Sequence, residues 1–154
     1  MTTYIAANKF GTSGSPTLGV AAGTYPVRIV RIEFFGAQGI PPNSTPAYAY
    51  VYNYTGASFS GGTTITPVPM RGGAPPSTAT AKYGYTSLSG TKSFLTIIST
   101  GGGSGASTTS YTFPFDYILP PGSALSTDGQ ITLNTSVAWA VAIYYEELRL
   151  ASSF

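Results

Sequence analysis

The sequence predicts an all-β protein: a two-sheet antiparallel sandwich, a jelly roll of about eight strands, with an extended N-terminal arm. The first observation behind this prediction is composition, because 19 Gly and 12 Pro divide the 154 residues into short segments. The second is that several segments alternate large apolar residues with small or polar ones, as strands with one buried face do. An immunoglobulin-like sandwich is the alternative, and the long loops rich in Gly and Pro favour the jelly roll.

The N-terminal segment, residues 1–24, is rich in Thr, Ser, Gly and Ala and has no sustained periodicity. Such a segment is either a flexible tail or an extended arm that docks on a neighbouring subunit. Lys9 and Phe10 are the only bulky pair well inside it, so they are the candidate contact residues of an arm. We therefore predict two parts: an arm over residues 1–24 and a jelly-roll domain over residues 25–154.

The first clear strand lies within residues 24–36, where apolar residues occupy every second position from Val30 to Phe34. This period of two is typical of a strand with one buried face. Val27 and Ile29 are out of phase with that set. The change of phase predicts a slip or a β-bulge near residues 29–30.

A row of tyrosines marks the next strand, residues 47–55. Its alternate positions share one face of the strand and are Tyr48, Tyr50, Tyr52 and Tyr54. If the row were part of the core, four buried hydroxyl groups would each need a hydrogen-bond partner. A partly solvent-exposed surface therefore suits the row better. Three interpretations stay open: core packing, a subunit interface, and a surface on which sugars stack.

Weaker patterns fill the middle of the chain. Segments 81–88 and 92–100 flank a Ser-Gly pair at 89–90 and predict a hairpin. Residues 101–107 predict a flexible loop, and the Asp-Gly pair at 128–129 predicts a turn.

The last strand is predicted over residues 137–145, where large apolar residues alternate with small ones before Glu146 and Glu147 follow. Adjacent strand residues point to opposite faces, so the two carboxylates cannot jointly line one catalytic site. We expect the pair to mark where the strand leaves the core, with Glu147 in solvent. Glu146 then pairs with Arg149 or with a neighbouring subunit, which makes both of them candidate interface residues.

Composition argues against several function classes. Seven basic and five acidic residues, without clusters, do not form a nucleic-acid footprint. The absence of His removes the commonest general base and metal ligand, and the absence of Cys removes disulfides and thiolate ligands. No nucleophile elbow, phosphate loop or calcium loop occurs. We predict a protein that is not an enzyme and has no cofactor or metal.

Membrane insertion and secretion are not expected either. The longest apolar-rich run, residues 137–145, is about half of what a membrane-spanning helix needs. The N-terminal residues show no basic region followed by an apolar stretch, which a secretory signal requires. We expect a soluble product with no membrane partner.

Four stretches of the chain stand out together: the Thr/Gly/Ser-rich N-terminal segment, "VRIVRIEFFG", "FPFDYILPPGSALS" and "VAWAVAIYYEEL". These stretches resemble small structural proteins of tailed bacteriophages, especially trimeric capsid decoration (cement) proteins with jelly-roll folds. The resemblance implies a homotrimer on the capsid surface of the virion, made in the host bacterial cytoplasm. It would contact the major capsid protein and bridge neighbouring capsomers. A carbohydrate-binding jelly-roll module of a head or tail fibre, with a surface glycan as partner, is the alternative.

Overall fold

The computed structural model describes residues 2–10, 17–36, 47–99, 107–131 and 139–149, and every helix or strand assigned in these ranges is a β-strand. Eight of the described strands have five residues or more, and four are shorter. All pairings between them are antiparallel. They form two sheets whose inner faces share one apolar core. The predicted two-sheet antiparallel sandwich is therefore confirmed.

The first sheet is built around the last strand of the chain. Its strands are β1 (Thr3–Phe10), β3 (Val27–Gly36), β6 (Val68–Pro69), β9 (Ser107–Thr112), β10 (Ile118–Leu119) and β12 (Trp139–Glu147). They lie in the order β10-β3-β12-β1-β6, and β9 pairs with β3 as well.

The second sheet holds the tyrosine-rich strand. Its strands are β2 (Thr17–Ala21), β4 (Ala47–Ser60), β5 (Thr63–Ile65), β7 (Thr80–Tyr83), β8 (Ser87–Ser99) and β11 (Ser123–Ile131). They lie in the order β5-β7-β2-β11-β4-β8.

The eight longer strands form four consecutive pairs, and each pair places one strand in each sheet. The pairs are β1/β2, β3/β4, β8/β9 and β11/β12. In the first sheet their members lie in the order β9-β3-β12-β1, and in the second sheet in the order β8-β4-β11-β2. The lateral order of the pairs is therefore the same in both sheets.

The core lies between the sheets and consists of residues that alternate along the strands. Its largest fully buried side chains are Tyr4, Leu18, Val20, Val27, Ile29, Ile32, Phe34, Leu119, Leu125, Ile143 and Tyr145. Burying apolar area of this kind is the main favourable contribution to folding, roughly 25 cal/mol per Å².

The predicted bulge in the first clear strand is confirmed. Tyr144 of β12 pairs with Arg31, but the next residue, Tyr145, pairs with Ile29, which leaves Val30 as the extra residue of β3. Because of this insertion, Ile29 and Ile32 both point into the core although they are three positions apart. The two phases of apolar residues in the sequence thus share one buried face.

The N-terminal arm is not confirmed, because the structure places strands where the arm was expected. β1 lies between β12 and β6, and β2 lies between β11 and β7. Tyr4 and Ala6 of β1, and Leu18 and Val20 of β2, are almost completely buried. The segment stays in the sheets because its apolar residues fill the core from both sides.

Two predicted turns are wrong. The Ser-Gly pair at 89–90 lies inside β8, which pairs with β4 and not with β7. Gly90 has φ of 121°, and a Cβ there would lie 2.5 Å from the carbonyl oxygen of Thr55. A glycine is needed at position 90 because two backbones approach closely at a bulge, and not because the chain turns there. The Asp-Gly pair at 128–129 lies inside β11, where Asp128 pairs with both β2 and β4 and Gly129 pairs with β4.

No helix in the described ranges is long and apolar enough to cross a membrane. The predicted loop at 101–107 lies almost wholly outside the described residues.

Candidate interaction surface

The tyrosine row lies on the outer face of the second sheet. Val51 of β4 is fully buried and belongs to the core, whereas its neighbours Tyr50 and Tyr52 are half-buried and point the other way. Tyr54 shares their face and is mostly covered. The side chain of Tyr48 lies outside the described residues. The interpretation of the row as sandwich core is therefore wrong for Tyr50 and Tyr52, whereas Tyr54 is buried on the outer face.

An aromatic cluster forms where β4 pairs with β8. Phe94 is the cross-strand partner of Tyr52, and their rings meet edge to face with centroids 6.0 Å apart. The ring centroid of Tyr50 lies 6.2 Å from that of Tyr52 and 6.3 Å from that of Phe94. The ammonium nitrogen of Lys92 lies 3.9 Å from the centroid of the Tyr52 ring, a cation–π contact.

This cluster remains open to solvent. Phe94 is 56% exposed and Ile97 of the same strand is 50% exposed, although both are large and apolar. We call the surface formed by Tyr50, Tyr52, Lys92, Phe94 and Ile97 the aromatic face. Contiguous exposed apolar surface of this kind makes the aromatic face a candidate interaction surface.

Sequence reasoning missed Phe94 and Ile97 as members of this surface. Val51 pairs with Thr96 and Tyr52 pairs with Phe94, so Leu95 is an extra residue in β8. The bulge brings Phe94 and Ile97, three positions apart, to the same face. A period of two read along "KSFLTIIST" assigns them to opposite faces.

The outer side of β2 and β11 in the second sheet is covered by the chain itself. Phe59 and Tyr85 pack together with ring centroids 4.9 Å apart, and the Tyr85 hydroxyl is hydrogen-bonded to Ser126 on β11. Gly19 of β2 lies directly beneath Phe59, where a Cβ would come within 2.7 Å of the ring. The chain therefore covers β2 and β11 from outside but leaves the aromatic face on β4 and β8 open.

A second exposed apolar surface lies at the edge of the first sheet. We call residues 114–118 the Phe115 turn. Phe115 is 79% exposed, and the guanidinium of Arg28 lies 4.4 Å from its ring centroid. Ile118, the cross-strand neighbour of Arg28, is 44% exposed. Asp116 stands beside Phe115 in the same turn and is also exposed.

Tyr117 anchors the Phe115 turn to the sandwich. Its amide donates a hydrogen bond of 3.0 Å to the carbonyl of Pro114, and its ring packs 4.8 Å from that of Phe113. Burial raises the pKa of Tyr117 to about 12. The turn therefore presents Phe115 outward from a fixed base.

The two adjacent glutamates point to opposite sides of β12, as predicted, but their surroundings differ from the prediction. Glu146 forms an ion pair of 2.5 Å with Arg28 on the outer side of the first sheet and accepts a hydrogen bond from Thr3. Glu147 was expected in solvent, yet only 3% of it is exposed. Arg149 pairs with Glu147 and not with Glu146.

Glu147 holds a distant loop against the end of the sandwich. Its Oε1 accepts hydrogen bonds from the Ser77 hydroxyl at 2.6 Å, from the Thr78 amide and hydroxyl, and from the Ala79 amide at 3.1 Å. Its Oε2 accepts two from Arg149. Burial alone would raise the pKa of Glu147, but the hydrogen bonds from Ser77, Arg149 and the two amides outweigh it and lower this pKa.

Tyr145 and Tyr4 complete this anchor. Ser77 gives its only hydroxyl hydrogen to Glu147, so the Tyr145 hydroxyl must donate to Ser77 over 2.6 Å. The ring of Tyr4 stacks on that of Tyr145 with centroids 5.6 Å apart. The Tyr4 hydroxyl donates a hydrogen bond of 2.8 Å to the carbonyl oxygen of Pro75. The glutamate is thus a structural anchor for residues 75–79.

The other candidate residues from the sequence divide into two groups. Lys9 and Phe10 end β1, where their backbones pair with Ala140 and Trp139, and their side chains lie outside the described residues. Glu146 and Arg149 are engaged in ion pairs within the chain. The structure does not bring either group to the aromatic face.

The described glutamates serve the fold. Glu33 pairs with Arg31 at 3.1 Å and accepts a hydrogen bond from the Tyr144 hydroxyl, and the two other glutamates are paired as above. In the described part of the chain, no three residues among His, Cys, Asp and Glu gather where a metal ion could bind. The described surface therefore provides mainly apolar and aromatic area for contact with a partner.

The fold and this surface define an all-β sandwich with an open aromatic face. No protein-family model, no curated protein and no solved structure matches the chain.

Proposed function

We propose that the chain is a structural virion protein, a jelly-roll decoration subunit that assembles as a homotrimer on the surface of a tailed-phage head. It binds the major capsid protein across neighbouring capsomers and stabilises the assembled shell. The observation that carries this proposal is the aromatic face, because a face of exposed Phe, Tyr and Ile is suited to protein contact. The proposed location is the virion surface, after synthesis in the host bacterial cytoplasm.

The strand order supports the jelly-roll part of the proposal. A jelly roll carries four consecutive strand pairs across two sheets, in the lateral order third, second, fourth, first. Here the order across both sheets is β8/β9, β3/β4, β11/β12, β1/β2. The short strands β5, β6, β7 and β10 lie in the connections between the second, third and fourth pairs. Jelly rolls occur in viral capsid proteins and in lectins, so the fold admits both candidate functions without deciding between them.

The charge distribution supports a scaffold role. Three glutamates pair with three arginines inside the chain: Glu33 with Arg31, Glu146 with Arg28, and Glu147 with Arg149. Charged side chains are only 8% of the sequence. Contacts to a partner must then come mainly from apolar and neutral polar groups, as in stable assemblies.

Thermodynamic linkage explains how such a subunit strengthens a shell. A protein that binds the assembled shell and not its free subunits stabilises the assembly by mass action. Three linked copies multiply weak contacts through effective concentration, by a factor of about 10² to 10⁴ when the geometry fits.

Carbohydrate binding is the second candidate, because Tyr50 and Phe94 present aromatic rings to solvent. Sugars stack on the flat faces of such rings. At Tyr52, however, Lys92 already lies over the ring at 3.9 Å, and Phe94 and Tyr54 meet it edge to face. This arrangement favours a protein partner, which can pack against rings at any tilt.

The test is pelleting with purified heads of the phage that carries the gene. Wild-type chain should pellet with expanded heads and reach saturation at a fixed number of copies per head. The double variant Tyr50→Ala/Tyr52→Ala should bind at least about 30-fold more weakly, because loss of central aromatic contacts disturbs the homotrimer and with it the multivalent binding to the head. Thr64→Ala, an exposed change elsewhere on the second sheet, is the matched control.

Two outcomes would contradict the decoration role. The first is wild-type chain that stays in the supernatant with heads at saturating concentration. The second is binding to a glycan array that the double tyrosine variant loses and Thr64→Ala keeps, which would establish the carbohydrate candidate.

A further inference from the structure

We infer that copies of the chain associate head to tail, with the Phe115 turn of one copy seated on the aromatic face of the next. This inference rests on the homotrimer in the proposed function and identifies the two surfaces that form it.

Two separate apolar surfaces argue for this arrangement. The aromatic face lies on the outside of the second sheet, and the Phe115 turn lies at the β9/β10 edge of the first sheet. An isologous dimer through either surface would leave the other one in water. A head-to-tail contact pairs the two surfaces, and a closed ring covers both in every subunit.

Charge makes the two surfaces complementary. Among the side chains that the structure describes, Asp116 is the one carboxylate with no ion pair to another described residue. Lys92, on the aromatic face, also has no ion pair within the described residues, and its ammonium nitrogen lies over the Tyr52 ring. Arg71 and Lys82 also form no salt bridge with a described residue, but they lie outside the aromatic face. Opposite charges at the rim of an apolar contact set its register.

The positions of the two surfaces imply a rotation between successive copies. One surface is the face of a sheet and the other is the edge of the opposite sheet. When the edge of one copy meets the face of the next, successive copies are rotated relative to each other. A head-to-tail contact with such a rotation generates a ring where the rotation closes, as it does in a trimer, and an open helical filament where it does not.

Single variants test each surface by sedimentation equilibrium. Phe94→Glu should weaken self-association at least about 30-fold through the aromatic face, and Phe115→Glu should do the same through the turn. Thr64→Glu adds the same charge to an exposed position outside both surfaces and should leave self-association unchanged. Circular dichroism and thermal unfolding check that each variant is folded. Both substituted residues are exposed, so the substitutions should not disturb the core.

Mixing distinguishes head-to-tail from isologous contact. Phe94→Glu keeps its turn and Phe115→Glu keeps its aromatic face, so the mixture retains one intact interface and should form a heterodimer but no ring. If Phe115→Glu alone associates as the wild type does, the contact is isologous through the aromatic face and the inference is overturned.

Charge exchange tests the register. Lys92→Glu and Asp116→Lys should each weaken self-association about tenfold, and the double variant should recover most of the loss. Single losses that simply add in the double variant would overturn the pairing of Lys92 with Asp116. A wild-type chain that stays monomeric would overturn the whole inference.

Failure of the inference and failure of the proposed function are separable. Head-to-tail trimers that do not pellet with heads contradict the decoration role alone. Isologous oligomers that pellet with heads contradict the head-to-tail contact alone.

Discussion

Arg149 and Glu147 lie two positions apart and form a two-point ion pair. Nε and Nη2 of Arg149 donate to Oε2 of Glu147 over 3.0 and 2.8 Å, and Nη2 also donates to the carbonyl of Pro76 at 2.7 Å. The other carboxylate oxygen takes its donors from residues 77–79. One buried charge therefore joins the end of β12 to a loop that lies about 70 positions earlier in the chain.

Removing this charge should be costly. Glu147→Gln keeps the shape but loses the ion pair and weakens four hydrogen bonds to Oε1, so the free energy of unfolding should fall by about 3 kcal/mol. Glu146→Gln is the matched control, because it alters a three-donor contact at the neighbouring position and should cost about 1 kcal/mol. Urea unfolding at pH 7 measures both. Equal losses in the two variants would contradict the anchor role of Glu147.

Acid should release the same contact. The pKa of Glu147 is lowered in the folded chain, so its contribution to stability is present above the ordinary glutamate pKa of 4.5 and is lost as pH falls through the lowered pKa. The stability difference between wild type and Glu147→Gln should therefore shrink below about pH 4.5. Urea unfolding from pH 7 to pH 3 tests this, and a difference that stays constant over that range would contradict it.

Removing the Tyr117 hydroxyl should not destabilise the fold, and its effect on stability should appear at high pH. Its hydroxyl is buried and has no hydrogen-bond partner in the described part of the chain, so Tyr117→Phe should cost nothing or stabilise the fold. Because burial raises the pKa of Tyr117 to about 12, wild type should lose stability between about pH 10 and 12, and the variant should lose less. Tyr145→Phe is the control, since it loses the hydrogen bond to Ser77 and should cost about 1 kcal/mol at pH 7. A clear loss of stability in Tyr117→Phe at pH 7 would refute this assignment.

The cover over β2 can be tested at Gly19. An added methyl group would lie 2.7 and 2.9 Å from two carbons of the Phe59 ring, so Gly19→Ala should push the ring aside and cost about 1–3 kcal/mol. Gly72→Ala is the control, because a methyl group there meets no atom within 4 Å. Thermal unfolding of both variants measures the effect. If Gly19→Ala is as stable as Gly72→Ala, Phe59 does not cover β2 as described.

The sequence allowed prediction wherever the period of two is carried by large residues. The sandwich, the bulge at Val30 and the opposed directions of Glu146 and Glu147 all follow from such patterns. β1 and β2 were missed because their buried positions include Ala6 and Gly19, which give a weak alternation. Small residues can be buried as completely as large ones, but they contribute little to the alternation of a hydropathy pattern.

The two misjudged parts of the surface have a different cause. Glu147 was expected in solvent because its donors at residues 77–79 are distant in sequence, and no local pattern records a long-range anchor. Phe94 and Ile97 were missed because the Leu95 bulge shifts the phase of β8. A bulge can be predicted from sequence only where apolar residues on both sides of it report the change, as they do around Val30.

The proposed role of the chain is that of a self-associating structural subunit that binds an assembled shell. Sedimentation velocity with and without purified heads tests this role most directly. We expect a species of about 48 kDa, three times the 15.9 kDa of one chain, that moves with the heads when they are added. A 15.9 kDa monomer whose sedimentation is unchanged by heads would contradict it.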